Sequence, residues 1–347
     1  MGQGKFQHDL LRIIPFGILF SVVALFVSFT NASVPSVTPT NSAPSGFLLF
    51  ATSDGSIDTE RLSPDAGLPQ SDFGGSAAGY RKELFLSSNR DVVVVTMTPI
   101  EFEGDSMTYL ADIHGKNLTL PQFGSFISWS PDSSKALLYV STMNAPWDRY
   151  IYALDVDGDY YDIGLPNGTI SADISPLDGS IAYSLTSGGT DDSTIYIRDP
   201  QGHDRIFRSE KGKILTWIRW APDGSKIVYM QSNLLINDGD QSVWMANPDG
   251  TGVERVSQII WNYPPAWSPD ATKIAFSNKG DIWEYVVDTK SFNNVTDEVV
   301  DSAEHPTYSA DGESIVFSAE GRIWKWESGN VIPITNDNQQ KDYPILP

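Results

Sequence analysis

From Arg81 onward, runs of five to eight residues rich in Val, Ile, Leu, Tyr and Trp alternate with short polar turns. No stretch after residue 45 carries the spacing of an amphipathic helix. The alternation is organised by a repeat. One phrase appears as SWSPDSSKALLYV (Ser128–Val140), RWAPDGSKIVYM (Arg219–Met230), AWSPDATKIAFS (Ala266–Ser277) and TYSADGESIVFS (Thr307–Ser318). A weaker copy, DISPLDGSIAYS, covers Asp173–Ser184, and a decayed one, FLSSNRDVVVVT, covers Phe85–Thr96. The turn aspartates Asp132, Asp178, Asp223, Asp270 and Asp311 are 46, 45, 47 and 41 residues apart. A second phrase follows each first one: MTYLAD, YIYALD, TIYIRD, SVWMAN, DIWEYV and RIWKWE. Several of these run into a turn of the form Asp-x-x-Gly, as at Asp112, Asp155 and Asp199.

Apolar runs bounded by Pro-Asp-Gly or Asp-x-x-Gly are strands joined by tight hairpins. A unit of about 45 residues supplies four such strands and cannot bury both faces of its sheet alone, so the units must pack face to face around an axis. The spacing predicts an all-β chain, a β-propeller, with Trp129, Trp220, Trp267 and Tyr308 packed between blades. The Trp-Ser-Pro-Asp-Gly phrase, the following Ile-Tyr or Ile-Trp and the Asp-x-x-Gly turn together resemble the WD-repeat-like blades of the TolB-type propeller family over roughly Arg81 to Asn336. The chain departs from that pattern at Asn89 and Leu177, in the first and third complete blades. The resemblance implies a role in periplasmic or envelope interactions.

The ends bear on the blade count. Asp342-Tyr343-Pro344-Ile345-Leu346 matches the innermost strand that opens other blades, yet no hairpin follows it. Gly46 to Pro64 resembles the strands that would come next. The expectation is therefore seven four-stranded blades, one shared between the N- and C-terminal segments, with six blades the alternative. The propeller domain would occupy residues 46–347.

Ahead of it, Ile13 to Phe29 form 17 uncharged residues preceded by Lys5 and Arg12. Residues 1–32 read as a signal peptide or an N-terminal membrane anchor, and residues 33–45, rich in Ser, Thr and Pro, as a linker. The one-sided positive flank directs everything downstream out of the cytoplasm, to a periplasmic or extracellular location. Membrane contact is expected only through residues 13–29, if they are retained.

Charge and composition narrow the chemistry. The 347-residue chain holds 23 Lys and Arg against 44 Asp and Glu, a formal charge of −21, and no cysteine. Thiol catalysis, disulfides and Cys-ligated metals are excluded. A chain this acidic without a basic stripe is not expected to bind nucleic acid. Loss of residues 1–32 removes two cations and one anion and leaves −22, which favours a cationic or cation-bridged partner over an anionic one.

Candidate functional residues are few. His114 and His203 fall in outer turns. Asp155-Val156-Asp157-Gly158-Asp159 looks like half of a calcium loop, but it lacks the twelfth-position Glu and has Gly158 in the fourth position. No cofactor is expected beyond weak calcium binding, and no metal centre. Asn117, Asn167 and Asn294 stand in N-x-[ST] sequons. Trp217 and Arg219, two apart on one innermost strand, should share a side of it. With Tyr263 and His305, which begin the next two innermost strands, they form the expected ligand-binding set lining the axial funnel. No catalytic residue is assigned, and no G-x-S-x-G is present. The primary expectation is an exported, monomeric, non-enzymatic propeller that binds a protein or cell-envelope ligand through one face of its disc. The alternative is a propeller-type lyase or hydrolase acting on a polysaccharide.

Overall fold

The computed structural model describes residues 47–53, 56–61, 79–100, 105–141, 148–186, 192–233, 241–257, 264–297, 299–335 and 340–346. The expected signal or anchor segment and the linker lie outside them. Six antiparallel sheets of four strands each follow one another along the chain. Their innermost strands are Tyr80–Leu86, Ser125–Trp129, Thr169–Ile174, Ile214–Trp220, Ala266–Trp267 and Glu304–Tyr308. The seventh blade is shared: Lys341–Ile345 pairs with Phe47–Thr52, which pairs in turn with Ile57–Arg61. The protein is a seven-bladed β-propeller closed by strands from both ends, and the described residues contain no helix.

The recurring turn explains why its phrase recurs. In the second blade the Ser130 hydroxyl donates to Asp132 at 2.6 Å and accepts the Lys135 amide at 2.9 Å. Ser268 with Asp270 and Ser309 with Asp311 repeat the arrangement. One position of this turn is left-handed throughout: Ser133, Gly179, Gly224, Ala271 and Gly312 all have φ between 59° and 74°. The first blade, where the phrase decays, keeps the geometry with Asn89 in place of the aspartate, since Ser87 donates to Asn89 at 2.7 Å.

That same turn places Arg90 (φ 62°) at the left-handed position. Its guanidinium donates to the carbonyl of Leu346 and, at 3.1 Å, to that of Tyr308. One cation therefore joins the first, sixth and seventh blades around the seam, a tie the repeat pattern did not reveal.

Packing lies between blades. On one face of the shared blade, Leu48, Phe50 and Leu346 meet Val316 and Ile323 of the sixth. On the other, Leu49, Ile57 and Ile345 meet Leu84, Val93, Val95 and Tyr109 of the first. Alternation along Leu48-Leu49-Phe50-Ala51 is what lets one strand serve both interfaces. Burying Ile345 and Leu346 contributes about 3–6 kcal/mol at about 1.5–3 kcal/mol per side chain. Deleting residues 342–347 is therefore expected to lower the thermal midpoint by roughly 6–24 °C, at about 2–4 °C per kcal/mol. Differential scanning calorimetry of the truncated chain checks this, and an unchanged midpoint would refute the closure.

Candidate functional site

Three innermost strands carry a β-bulge at the same place. Trp217 and Ile218 together oppose Tyr229, His305 and Pro306 oppose Phe317, and Tyr343 and Pro344 oppose Phe50. The first residue of each bulge is left-handed, with φ of 51° at Trp217, 52° at His305 and 49° at Tyr343. An aromatic or imidazole side chain in this conformation costs about 1–2 kcal/mol, and bulges re-aim side chains where a sheet meets a functional site. Each of these residues lies three positions before the residue that precedes the turn (Trp220, Tyr308, Leu346). The matching position in the first blade is Glu83.

Neighbouring members of this set meet. The His305 ring stacks on Tyr343 with centroids 3.8 Å apart. The Tyr343 hydroxyl donates to Glu83 at 3.0 Å, and Glu83 pairs with the exposed Arg81 at 2.7 Å. On the other flank, Asp342 Oδ1 lies 2.5 Å from His305 Nδ1, accepts the Ser318 hydroxyl at 2.7 Å and takes the Tyr343 amide at 2.9 Å. Burial pushes the Asp342 carboxyl up, but the bonds from His305, Ser318 and Tyr343 together hold it below the usual carboxylate range. Asp342 is therefore ionised at neutral pH. Its side chain is 30% exposed while that of His305 is 8% exposed, so the carboxylate faces outward and the imidazole holds it from behind.

Ser318, His305 and Asp342 are the residue types of a hydrolytic triad, but not its geometry. Both the hydroxyl and the imidazole address the same carboxylate oxygen, whereas a nucleophilic serine would sit at the far nitrogen of the ring. Burial and hydrogen bonding to Glu83 push the Tyr343 phenol up, so it remains protonated and acts as a donor.

Of the residues singled out in the sequence, His305 belongs to this cluster and Tyr263 lies outside the described residues. Trp217 packs at the edge of the core between the fourth and fifth blades. The bulge separates it from Arg219 in register, yet the guanidinium lies 5.9 Å from the Trp217 ring. Arg219 is committed elsewhere: it donates to the Ile127 carbonyl of the second blade and to the Ile218 carbonyl at 2.8 Å. Burial pushes Asp173 up to about 6 against the attraction of Arg219 and the hydrogen bond from the Trp220 amide. Asp342, Tyr343, Glu83 and Arg81 were not singled out. Counting three positions back from the turn in every blade would have found Tyr343 and Glu83.

The calcium-like loop is the outer turn of its blade, with Asp155 Oδ1 accepting the amides of Asp157 and Asp159 at 3.0 and 2.9 Å. His203 sits in the equivalent turn of the next blade, 3.0 Å from Asp199.

No family model and no curated protein matches the chain. Solved structures do. An oligogalacturonate lyase in complex with manganese aligns at 14% identity with a TM-score of 0.55, covering 84% of this chain and 87% of the lyase. A puromycin hydrolase aligns at 12% identity with a TM-score of 0.54, covering 84% of this chain and 52% of that one. A TolB structure from Agrobacterium tumefaciens aligns at 22% identity with a TM-score of 0.48, covering 66% and 84%. The likenesses to the lyase and to the puromycin hydrolase carry the propeller fold expected from the repeats.

They also correct the primary functional expectation. The non-enzymatic reading rested on the export segment, the tether, the allocation of nearly the whole chain to blades and the lack of a catalytic signature, but a lyase and a hydrolase stand among the propellers of this shape, so those features do not set this chain apart from propeller enzymes. The manganese of that lyase has no counterpart that fits here: among the described residues no three His, Asp or Glu side chains stand together to hold a metal ion.

Arg219 supplies a test of the buried tie. An acid whose folded pKa is raised is penalised once ionised, so Asp173 costs stability increasingly as pH rises from about 4 to about 6. Replacing Arg219 by Met removes the positive charge beside Asp173 and the bonds to the Ile127 and Ile218 carbonyls, and the expected loss is about 1.5–3 kcal/mol at pH 8. The loss should shrink at pH 5, where the carboxyl is protonated. Urea denaturation at the two pH values measures both.

Proposed function

We propose that this protein is a propeller enzyme that cleaves a polysaccharide, with Asp342 as its base. The observation that carries the reading is the convergence of Asp342, Tyr343, Glu83, Arg81 and His305 from the innermost strands of three successive blades, backed by Ser318 of the second strand of the sixth. The oligogalacturonate lyase of similar shape supports a saccharide as the substrate.

The roles follow from the geometry. Asp342 is ionised, partly exposed and fixed by three donors, so it can take a proton from water; the same bonds lower its basicity, and what they supply is the position in which they hold it. His305 is a positioning residue, because it reaches the substrate only through Asp342. The Arg81 guanidinium, with donors left beyond its pair with Glu83, supplies donors for the oxygen on which charge develops, while the Tyr343 hydroxyl spends its proton on Glu83. The formal charge of −21 makes a neutral or amino-sugar polymer a better substrate than a polyuronate. This favours hydrolysis, which needs no carboxylate on the sugar, over elimination.

The test is to incubate the purified chain with a panel of neutral, amino-sugar and uronate polysaccharides. New reducing ends are followed together with the ultraviolet absorbance of unsaturated sugars, which separates hydrolysis from elimination. Asp342→Asn is expected to lower the rate by about 10²–10⁴-fold, the usual contribution of a general base. His305→Gln should lower it less and move the acidic limb of the pH profile upward, since Asp342 loses a bond that favours its ionised form. A full rate in folded Asp342→Asn, or no product from any polymer, overturns the proposal.

A further inference from the structure

Of the three left-handed bulges on the innermost strands, two are accounted for by the cluster around Asp342, since His305 and Tyr343 belong to it. The third, at Trp217, is not. A tryptophan with φ of 51° is backbone strain that the surrounding structure must hold in place, and such strain gathers where ligands are gripped. Its register matches that of the site: Trp217 with Ile218 opposes Tyr229 as Tyr343 with Pro344 opposes Phe50. Trp217 therefore stands on its strand at the level of the Asp342 cluster.

Arg219, two residues further on, shows where the indole lies. From the fourth blade it donates to the Ile127 carbonyl of the second and so spans the innermost strand of the third, Thr169–Ile174. Asp173, on the spanned strand, attracts the same guanidinium. A side chain that bridges two blades past the one between them runs on the axial side of that strand. The Trp217 ring lies 5.9 Å from this guanidinium, and the residue is half-buried, packed in part against the core between the fourth and fifth blades. In a ring of seven, the fourth blade stands three steps from the seventh and three from the first. Trp217 and the Asp342 cluster thus occupy opposite sides of the axial opening.

On that side the groups around the indole are already engaged. The donors of Arg219 go to the Ile127 and Ile218 carbonyls, so it offers an anion little. Ser171, at the matching position of the third blade, accepts the Ile218 amide at 3.2 Å, and Phe126 of the second is 8% exposed. What is left to meet a ligand is the indole, a flat apolar face with one N–H at its edge. A pyranose ring has the complementary surface, with C–H groups on its faces and hydroxyls around its rim. We propose that Trp217 is the platform on which one unit of a neutral or amino-sugar chain stacks, with the chain lying across the opening from Trp217 to Asp342. This deepens the reading of the Asp342 site as a polysaccharide-cleaving centre and rests on it for the ligand class. Trp217 holds the chain at one unit while another is set beside the carboxylate.

The experiment uses the full chain carrying Asp342→Asn, so that binding is read without turnover and remains readable even if no polymer is cleaved. Isothermal titration with cellotetraose and with the tetrasaccharide of glucosamine is run on that chain and on the same chain carrying Trp217→Tyr or Trp217→Asn. Tyrosine keeps an aromatic face and is the residue that the seventh blade holds in the same conformation, whereas asparagine removes the face and enters the left-handed region readily. The expected result is saturable binding of at least one tetrasaccharide, kept within about threefold by Trp217→Tyr and weakened about tenfold or more by Trp217→Asn. A tryptophan ultraviolet difference spectrum accompanies binding and disappears in Trp217→Tyr, a signal that a packing role alone does not produce. Binding by Trp217→Asn as tight as by its parent, or a tryptophan signal that persists in Trp217→Tyr, overturns the inference even where a polymer is cleaved. The absence of binding by both tetrasaccharides overturns it as well. Binding that depends on Trp217 without cleavage of any polymer upholds the platform and removes the catalytic reading alone.

Discussion

The pairing of Leu49 with Ile345 and of Thr52 with Lys341 is the constraint on which the molecule depends. A ring of sheets has no free edge only while its first and last strands are hydrogen-bonded to each other. Without a cysteine to lock it, the closure rests on two-sided burial of the shared blade and on carbonyls captured by Arg90. The buried interactions reach beyond nearest neighbours: Arg90 spans the first, sixth and seventh blades, and Arg219 links the fourth to the second. Repeat proteins in general are held by nearest-neighbour contacts. Here cations on particular blades add ties of longer range.

Much of the fold was legible because turns and packing positions are local. The Ser-x-Asp hydrogen bonds, the left-handed residue after them and the large apolar side chain before them are fixed by a handful of consecutive residues, so they repeat as text. The shared blade was legible for the same reason, from an opening strand without its hairpin. Arg219 shows where locality ends. A cation on an innermost strand reads as a ligand contact, and only distances reveal that its donors are taken by the Ile127 and Ile218 carbonyls with Asp173 beside it.

The candidate site was only partly legible. His305 stood out through scarcity, but its meaning comes from Asp342 and Ser318, 37 and 13 residues further along. Asp342 is one of 44 acidic residues, and nothing in its own neighbourhood marks it. The useful signal was positional. The residue three places before the end of each innermost strand is Glu83, Phe126, Ser171, Trp217, Pro264, His305 or Tyr343. The turn and the packing position stay constant around the ring while this one varies.

The bulge at Tyr343 sits on the strand that seals the ring, and this ties chemistry to assembly. Asp342 and Tyr343 meet His305 and Glu83 only after the last strand has docked between the sixth and first blades. An open or misregistered ring presents Glu83 and His305 some distance apart, with no carboxylate held between imidazole and hydroxyl. Slippage of the last strand by one residue would also turn Asp342 away. The constellation thus reports on completion: a molecule that has not closed correctly does not assemble it, and one that has closed carries the His305–Asp342 pair at the seam itself.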